Sequence, residues 1–138
     1  MTLPRAVPAV VFDMDGLLVD TEAVSREAMT LAARAQGVEL PHELFVRMVG
    51  LNFATSGPLV AEHFGRGFDV PAFQAESTRL FRAAGELGVA LKDGVVELLD
   101  LLDAQKLPRA IATSSPHQDV DRNLGRHGLR ARFDAVVA

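Results

Sequence analysis

The chain of 138 residues contains no cysteine, which excludes a disulfide framework and any thiol nucleophile. Tryptophan and tyrosine are also absent, so its aromatic residues are eight phenylalanines. Lysine is scarce, occurring only at Lys92 and Lys106. No apolar run approaches a membrane span, and Met1 to Ala9, interrupted by Pro4 and Pro8, lacks a secretory core. A cytoplasmic protein with no membrane partner is expected. The net charge of −4 argues against nucleic acid as a partner. Arg122, Arg126, His127, Arg130 and Arg132 form a basic exception that reads as a solvated helix face and loop, or as a surface facing acidic groups elsewhere. His42, His63, His117 and His127 show no metal-type spacing and read as surface or capping residues.

What the chain does have is concentrated in Val10-Val11-Phe12-Asp13-Met14-Asp15-Gly16-Leu17-Leu18-Val19-Asp20-Thr21-Glu22. An apolar, β-prone stretch here delivers two carboxylates into a glycine turn. Residues two apart on a strand share a side, so Asp13 and Asp15 start together while Met14 faces the other layer. Gly16 tolerates backbone angles that other residues avoid, so the chain can peel away and leave both carboxylates at an open strand end. Two ionised carboxylates repel, and a hard cation such as magnesium or a shared proton relieves that repulsion. The plainer alternative is an acidic turn at the end of a strand.

The rest of the chain predicts an α/β fold. A strand is expected over about Ala6 to Asp13 and a helix near Glu22 to Gln36, with Val24, Ala28, Leu31, Ala32 and Ala35 on one apolar face and Gly37 as its stop. Pro41 opens a second helix that Gly50 closes, and Pro58 to Phe64 and Pro71 to Leu87 read as two more. Phe45, Phe53, Phe64, Phe68, Phe73 and Phe81 are expected in the core of this helical stretch. Asp93 to Leu99 opens an amphipathic helix, and Pro108 separates it from a second strand. This is the βαβ rhythm of a parallel sheet. The second strand ends in Arg109-Ala110-Ile111-Ala112-Thr113-Ser114-Ser115-Pro116, where Ser115, Pro116 and Gln118 have the form of a capping box for the next helix. Phe133 to Ala138 reads as a third strand.

The run from Phe12 to Glu22 resembles the opening motif of the haloacid dehalogenase superfamily, in its β-phosphoglucomutase-like phosphatase branch. Arg109 to Pro116 is similar to the second motif. The resemblance implies a Rossmann-like core over residues 1–20 and 89–138 and an inserted four-helix cap over residues 21–88, with Gly16–Asp20 and Gly85–Lys92 as hinges for cap closure. It implies Asp13 as the nucleophile that becomes an aspartyl phosphate and Asp15 as general acid and then general base. Thr113, the Ser114 N–H and Gly16 would bind phosphate, and Asp13 and Asp15 would hold Mg2+, the latter through its backbone carbonyl. The partner is then a small phosphorylated metabolite, and the activity is phosphomonoester hydrolysis.

Within that branch, Val49-Gly50-Leu51-Asn52-Phe53 resembles the substrate loop of the sugar-phosphate mutase, but Phe53 and Ser25 stand where the mutase has arginine and histidine. Both departures favour a phosphatase over a mutase. Asp15 disfavours a dehalogenase, which lacks that aspartate, and a phosphonate hydrolase, which has a small residue there. The family also uses a later lysine and further acidic ligands, to which neither Lys92 nor Lys106 corresponds. A missing C-terminal portion or completion by another chain is therefore expected, and with it an exposed edge on the first strand. The alternative from another class is a phosphate-binding or interaction module without catalysis. A homo-oligomer is compatible with the sequence, with no patch that compels it.

Overall fold

The computed structural model describes residues 7–138. Its elements are β1 (Val10–Phe12), α1 (Thr21–Arg34), α2 (His42–Met48), α3 (Phe53–Phe64), α4 (Val70–Leu87), α5 (Val95–Ala104), β2 (Arg109–Ala112), α6 (His117–Gly125) and β3 (Ala135–Val137), with a 3-10 turn at Arg130–Arg132. The strands form a parallel sheet in the order β1-β2-β3. The chain divides into two compact units, one of Met1–Thr21 with Gly88–Ala138 and one of Glu22–Leu87.

The sheet unit is built on βαβ connections. Val10 pairs with Arg109 and Phe12 with Ile111, while Ile111 in turn pairs with Val136. Ile111, Leu99, Val120 and Leu124 are fully buried, and Phe12 meets Phe133 edge-on at 5.9 Å. The expected strand from Ala6 to Asp13 is shorter, because its pairing with β2 stops at Phe12. Ala6, and most of the segment read for a secretory signal, lie outside the described residues. On β1, Val11 is 65% exposed. Among the described residues no helix is long and apolar enough to cross a membrane.

The entrance to β2 carries an arginine as the core's polar anchor. Arg109 is 9% exposed, and its guanidinium donates to the Arg132 carbonyl at 2.6 Å and to the carboxylate of Asp103. Its N–H donates to Asp134 Oδ2 at 2.8 Å. Arg132 reaches Asp100 at 2.7 Å and Asp103 at 2.5 Å, Arg130 reaches Asp121 at 2.8 Å, and Arg122 reaches Asp119 at 2.8 Å. Arg122, Arg130 and Arg132 are thus engaged by acidic groups of this chain. Hydrogen bonds from Arg109 and then Arg132 hold the Asp103 carboxyl below the usual aspartate range. A carboxyl whose pKa is depressed by folding contributes stability above its unfolded pKa and loses it as pH falls through the folded one. Urea unfolding at a series of pH values should therefore find Asp103→Asn less stable than the native chain near neutrality. That gap should begin to narrow below about pH 4, near the unfolded pKa, and close only as pH falls through the lower folded one.

The helical unit packs Ala32, Ala33, Leu44, Met48, Val60 and Phe73 into its own core. On α1, Ala28 and Ala32 face inward as expected, but Leu31 is 43% exposed and Ala33 takes its place, so the buried stripe is rotated from the predicted one. Helix α3 begins five residues before Pro58, because Asn52 Oδ1 accepts the Thr55 N–H at 3.0 Å and starts the helix at Phe53. Pro58 lies inside that helix, where it removes one backbone donor. Asp69 Oδ1 accepts the Ala72 N–H at 2.9 Å to start α4, and the Gln36 amide exchanges two 2.8 Å hydrogen bonds with the Asp69 backbone, tying the end of α1 to it. Phe68 stacks on Phe64 at 4.5 Å and tilts against Phe73 at 5.5 Å. Phe81 departs from the expected core: on the outer side of α4 it is 37% exposed.

Candidate active site

Parallel strands end on the same side, so the loops after β1 and β2 are neighbours by construction. The register pairs Phe12 with Ile111, which places Asp13 to Asp15, just beyond β1, alongside Ala112 to Ser114 at the end of β2. Asp13 is exposed, Met14 is fully buried and Asp15 is half-buried, an alternation that anchors the loop through Met14.

The turn after Asp15 is closed by backbone hydrogen bonds. The Met14 carbonyl accepts N–H groups from Leu17, Leu18 and Val19 at 2.9 to 3.3 Å, and the Gly16 N–H donates to the Val19 carbonyl at 2.9 Å. Gly16 has φ +74°, which only glycine adopts without strain. Its N–H is committed inside the turn. What Gly16 contributes is the backbone angle. Gly16→Ala should lower the unfolding free energy by about 1 kcal/mol in urea titration, the cost of a left-handed alanine.

The two connections to the helical unit also meet here. The Asp20 N–H donates to the Ala90 carbonyl at 2.8 Å, and the Lys92 N–H donates to the Leu18 carbonyl at 2.9 Å. The Lys92 ammonium lies 3.6 Å from Asp20, so its charge is taken up beside the connections.

The two motifs are joined through Asp15. Its Oδ2 accepts the Ser115 hydroxyl at 2.6 Å and lies 3.4 Å from Thr113 Oγ1. Thr113 Oγ1 accepts the Ser115 N–H at 3.1 Å, and the Thr113 N–H donates to the Val137 carbonyl at 2.9 Å, which seats this loop on β3. Ser114 is exposed, with no acceptor for its N–H among the described residues. Asp13 Oδ1 accepts the N–H of Met14 at 2.8 Å.

Ser115 is the residue that sequence reasoning assigned elsewhere. The expected capping box does not form, because α6 starts at His117 after Pro116 with no side-chain cap. The Ser115 hydroxyl is turned to the carboxylate instead. The signal was a hydroxyl two residues after Thr113 in a loop facing Asp15, but without the register of β1 on β2 that pairing stays hidden.

Among the described residues no three histidine or acidic side chains converge as a metal cluster. The donors that do gather at the strand ends are hard oxygens, from Asp13 and Asp15. The turn engages the carbonyls of Met14 and Val19 and leaves that of Asp15 outside its hydrogen bonds. This donor set fits magnesium, which takes one or two carboxylates and completes its shell with water and phosphate.

The profile of the haloacid dehalogenase-like hydrolases matches residues 7–138, and the chain belongs to that family. It is 32% identical over 135 residues to the phosphorylated carbohydrates phosphatase of Thermotoga maritima, covering 94% of this chain and 60% of that protein. It is 31% identical over 150 aligned positions to hexitol phosphatase B of Escherichia coli, covering 100% of this chain and 63% of that protein. The chain thus spans less than two thirds of the length of either relative. A solved structure of a HAD family hydrolase from Deinococcus radiodurans, with bound phosphate and sodium, shares the fold at a TM-score of 0.76, with 24% identity over 94% of this chain and 57% of that one.

Proposed function

We propose that the protein is a Mg2+-dependent phosphomonoester hydrolase acting on a small phosphorylated metabolite of the sugar-phosphate class. The observation that carries this reading is the joining of the two motifs. Asp15 is hydrogen-bonded to the Ser115 hydroxyl and approached by that of Thr113, one residue beyond the exposed Asp13 and its neighbour. Two phosphatase relatives, named for phosphorylated carbohydrates and hexitol phosphates, support the substrate class.

In this reading a carboxylate oxygen of Asp13 forms a bond to phosphorus while the ester P–O bond breaks, and the acid proton of Asp15 passes to the departing oxygen. A water then attacks the aspartyl phosphate, giving its proton to Asp15, and the bond between phosphorus and Asp13 breaks to release phosphate. The Thr113 hydroxyl and the Ser114 N–H hold phosphoryl oxygens as their charge shifts. Magnesium, held by Asp13 and Asp15, would neutralise charge on those oxygens. Selection among esters falls to Glu22–Leu87, proposed as the cap. Phe53, half-buried at the start of α3 and packed on the helical core, is not available to grip a second phosphate as an arginine would.

The test is phosphate release from a panel of sugar phosphates, polyol phosphates and p-nitrophenyl phosphate with magnesium present. Turnover of at least one monoester that vanishes in Asp13→Asn supports the reading. Phosphate binding without turnover would favour the non-catalytic module instead.

A further inference from the structure

Ser115, Thr113 and Asp15 form a closed ring of contacts whose links are unequal. The Ser115 hydroxyl donates to Asp15 Oδ2 at 2.6 Å, the length of a charge-assisted O–H···O bond. Thr113 Oγ1 stands 3.4 Å from the same oxygen, at the weak end of the range. The third link, from the Ser115 N–H to Thr113 Oγ1 at 3.1 Å, occupies a lone pair of the threonine hydroxyl. That hydroxyl has a single proton, which must therefore point away from Ser115. It can leave Asp15 for a phosphoryl oxygen at small cost, whereas the serine has no weaker partner to exchange for Asp15.

We propose that Ser115 is the positioning residue for Asp15, an inference that rests on the reading of Asp15 as general acid and base. The terminal torsion of an aspartate is broad, so an untethered carboxylate samples many orientations. Anchoring Oδ2 fixes the plane of the group and leaves Oδ1 as the oxygen that exchanges a proton. Ser115 therefore does two jobs in one geometry: its N–H aims the Thr113 proton at the phosphoryl group, and its hydroxyl aims the Asp15 proton at the leaving oxygen. Helix capping does not account for the serine, since α6 takes no side-chain cap.

The experiment compares Ser115→Ala, Ser115→Cys and Ser115→Thr with the native chain in magnesium, using p-nitrophenyl phosphate and the best alkyl monoester of the panel. Loss of a charge-assisted hydrogen bond should lower kcat for the alkyl ester by roughly 10- to 100-fold, with KM changed by less than about 3-fold. Nitrophenolate leaves without a proton, so phosphorylation by p-nitrophenyl phosphate should persist while the water step slows. Stopped-flow should then show a burst of nitrophenolate in Ser115→Ala and Ser115→Cys. Ser115→Thr, which keeps the hydroxyl, should restore kcat to within about 3-fold. Equal losses on both esters without a burst, a rise in KM alone, or recovery at raised magnesium would overturn the proposal. The cysteine variant, close to serine in shape and a weak donor, decides the matter where alanine perturbs melting. Failure of the underlying reading is distinguishable, because Asp15→Asn would then keep turning over the alkyl ester.

Discussion

Asp13→Asn is expected to abolish phosphate release, lowering kcat by at least about 10³-fold while leaving the melting temperature within a degree or two. Losses of this size follow removal of a nucleophile whose neighbours act only with it. The amide is nearly the same shape as the acid, and its oxygen can still accept the Met14 N–H that Asp13 Oδ1 now takes at 2.8 Å. Asp13 is exposed, so no packing is lost. Acid quench after mixing with substrate labelled at phosphorus checks the same point directly. Label should stay on the native protein and be absent from the variant. A variant that keeps its rate would remove Asp13 from the chemistry and leave the strand end as an ordinary acidic turn.

Phe73→Ala should cost about 3–5 kcal/mol, the largest stability effect expected in the chain. The ring is 1% exposed and lies in the core formed by Ala32, Ala33, Leu44, Met48 and Val60. Phe68 tilts against it at 5.5 Å and Phe64 stacks behind Phe68, so removal also unseats two partners. Glu22–Leu87 is small for a self-contained core, and such a core does not absorb a cavity of this size. Circular dichroism in urea should show helix lost at lower denaturant in the variant. Phe81→Ala, on the exposed side of the following turns, should change stability by less than about 1 kcal/mol. Similar losses for the two would mean that the helical core is arranged differently.

Much of this architecture was legible locally. Two carboxylates around one methionine, followed by glycine, specify a strand end with a turn, and Pro108 and Gly37 punctuate where they should. What escaped depends on partners far away in sequence. Ser115 fits a helix cap by its neighbours alone, and only the register of β1 on β2 sets its hydroxyl against Asp15. Gly16 reads as a turn glycine, but that its N–H closes the turn on the Val19 carbonyl shows only in the fold. Pro58 looks like a helix start because proline favours first turns, yet Asn52 wins by satisfying the Thr55 N–H. Leu31 and Phe81 match helical spacing, but which side of the stripe is buried depends on neighbouring helices. Arg109, embedded among Arg132, Asp103 and Asp134, gives no sequence signal beyond a charge in an apolar run.

The insertion of the helical segment between β1 and β2 sets an order of events during synthesis. Within Glu22–Leu87, α3 packs on its sequence neighbours α2 and α4, so that unit can gather while the chain is still emerging. β1 leaves the ribosome before the helical segment yet can pair only after it, since its ladder needs Arg109 to Ile111. A folded helical unit would shorten that wait. The bond from Asp20 to Ala90 brings the ends of the insertion together, so the search between β1 and β2 then closes a short effective loop in place of a long flexible one. A weakened insertion such as Phe73→Ala would therefore delay the sheet that it does not itself belong to.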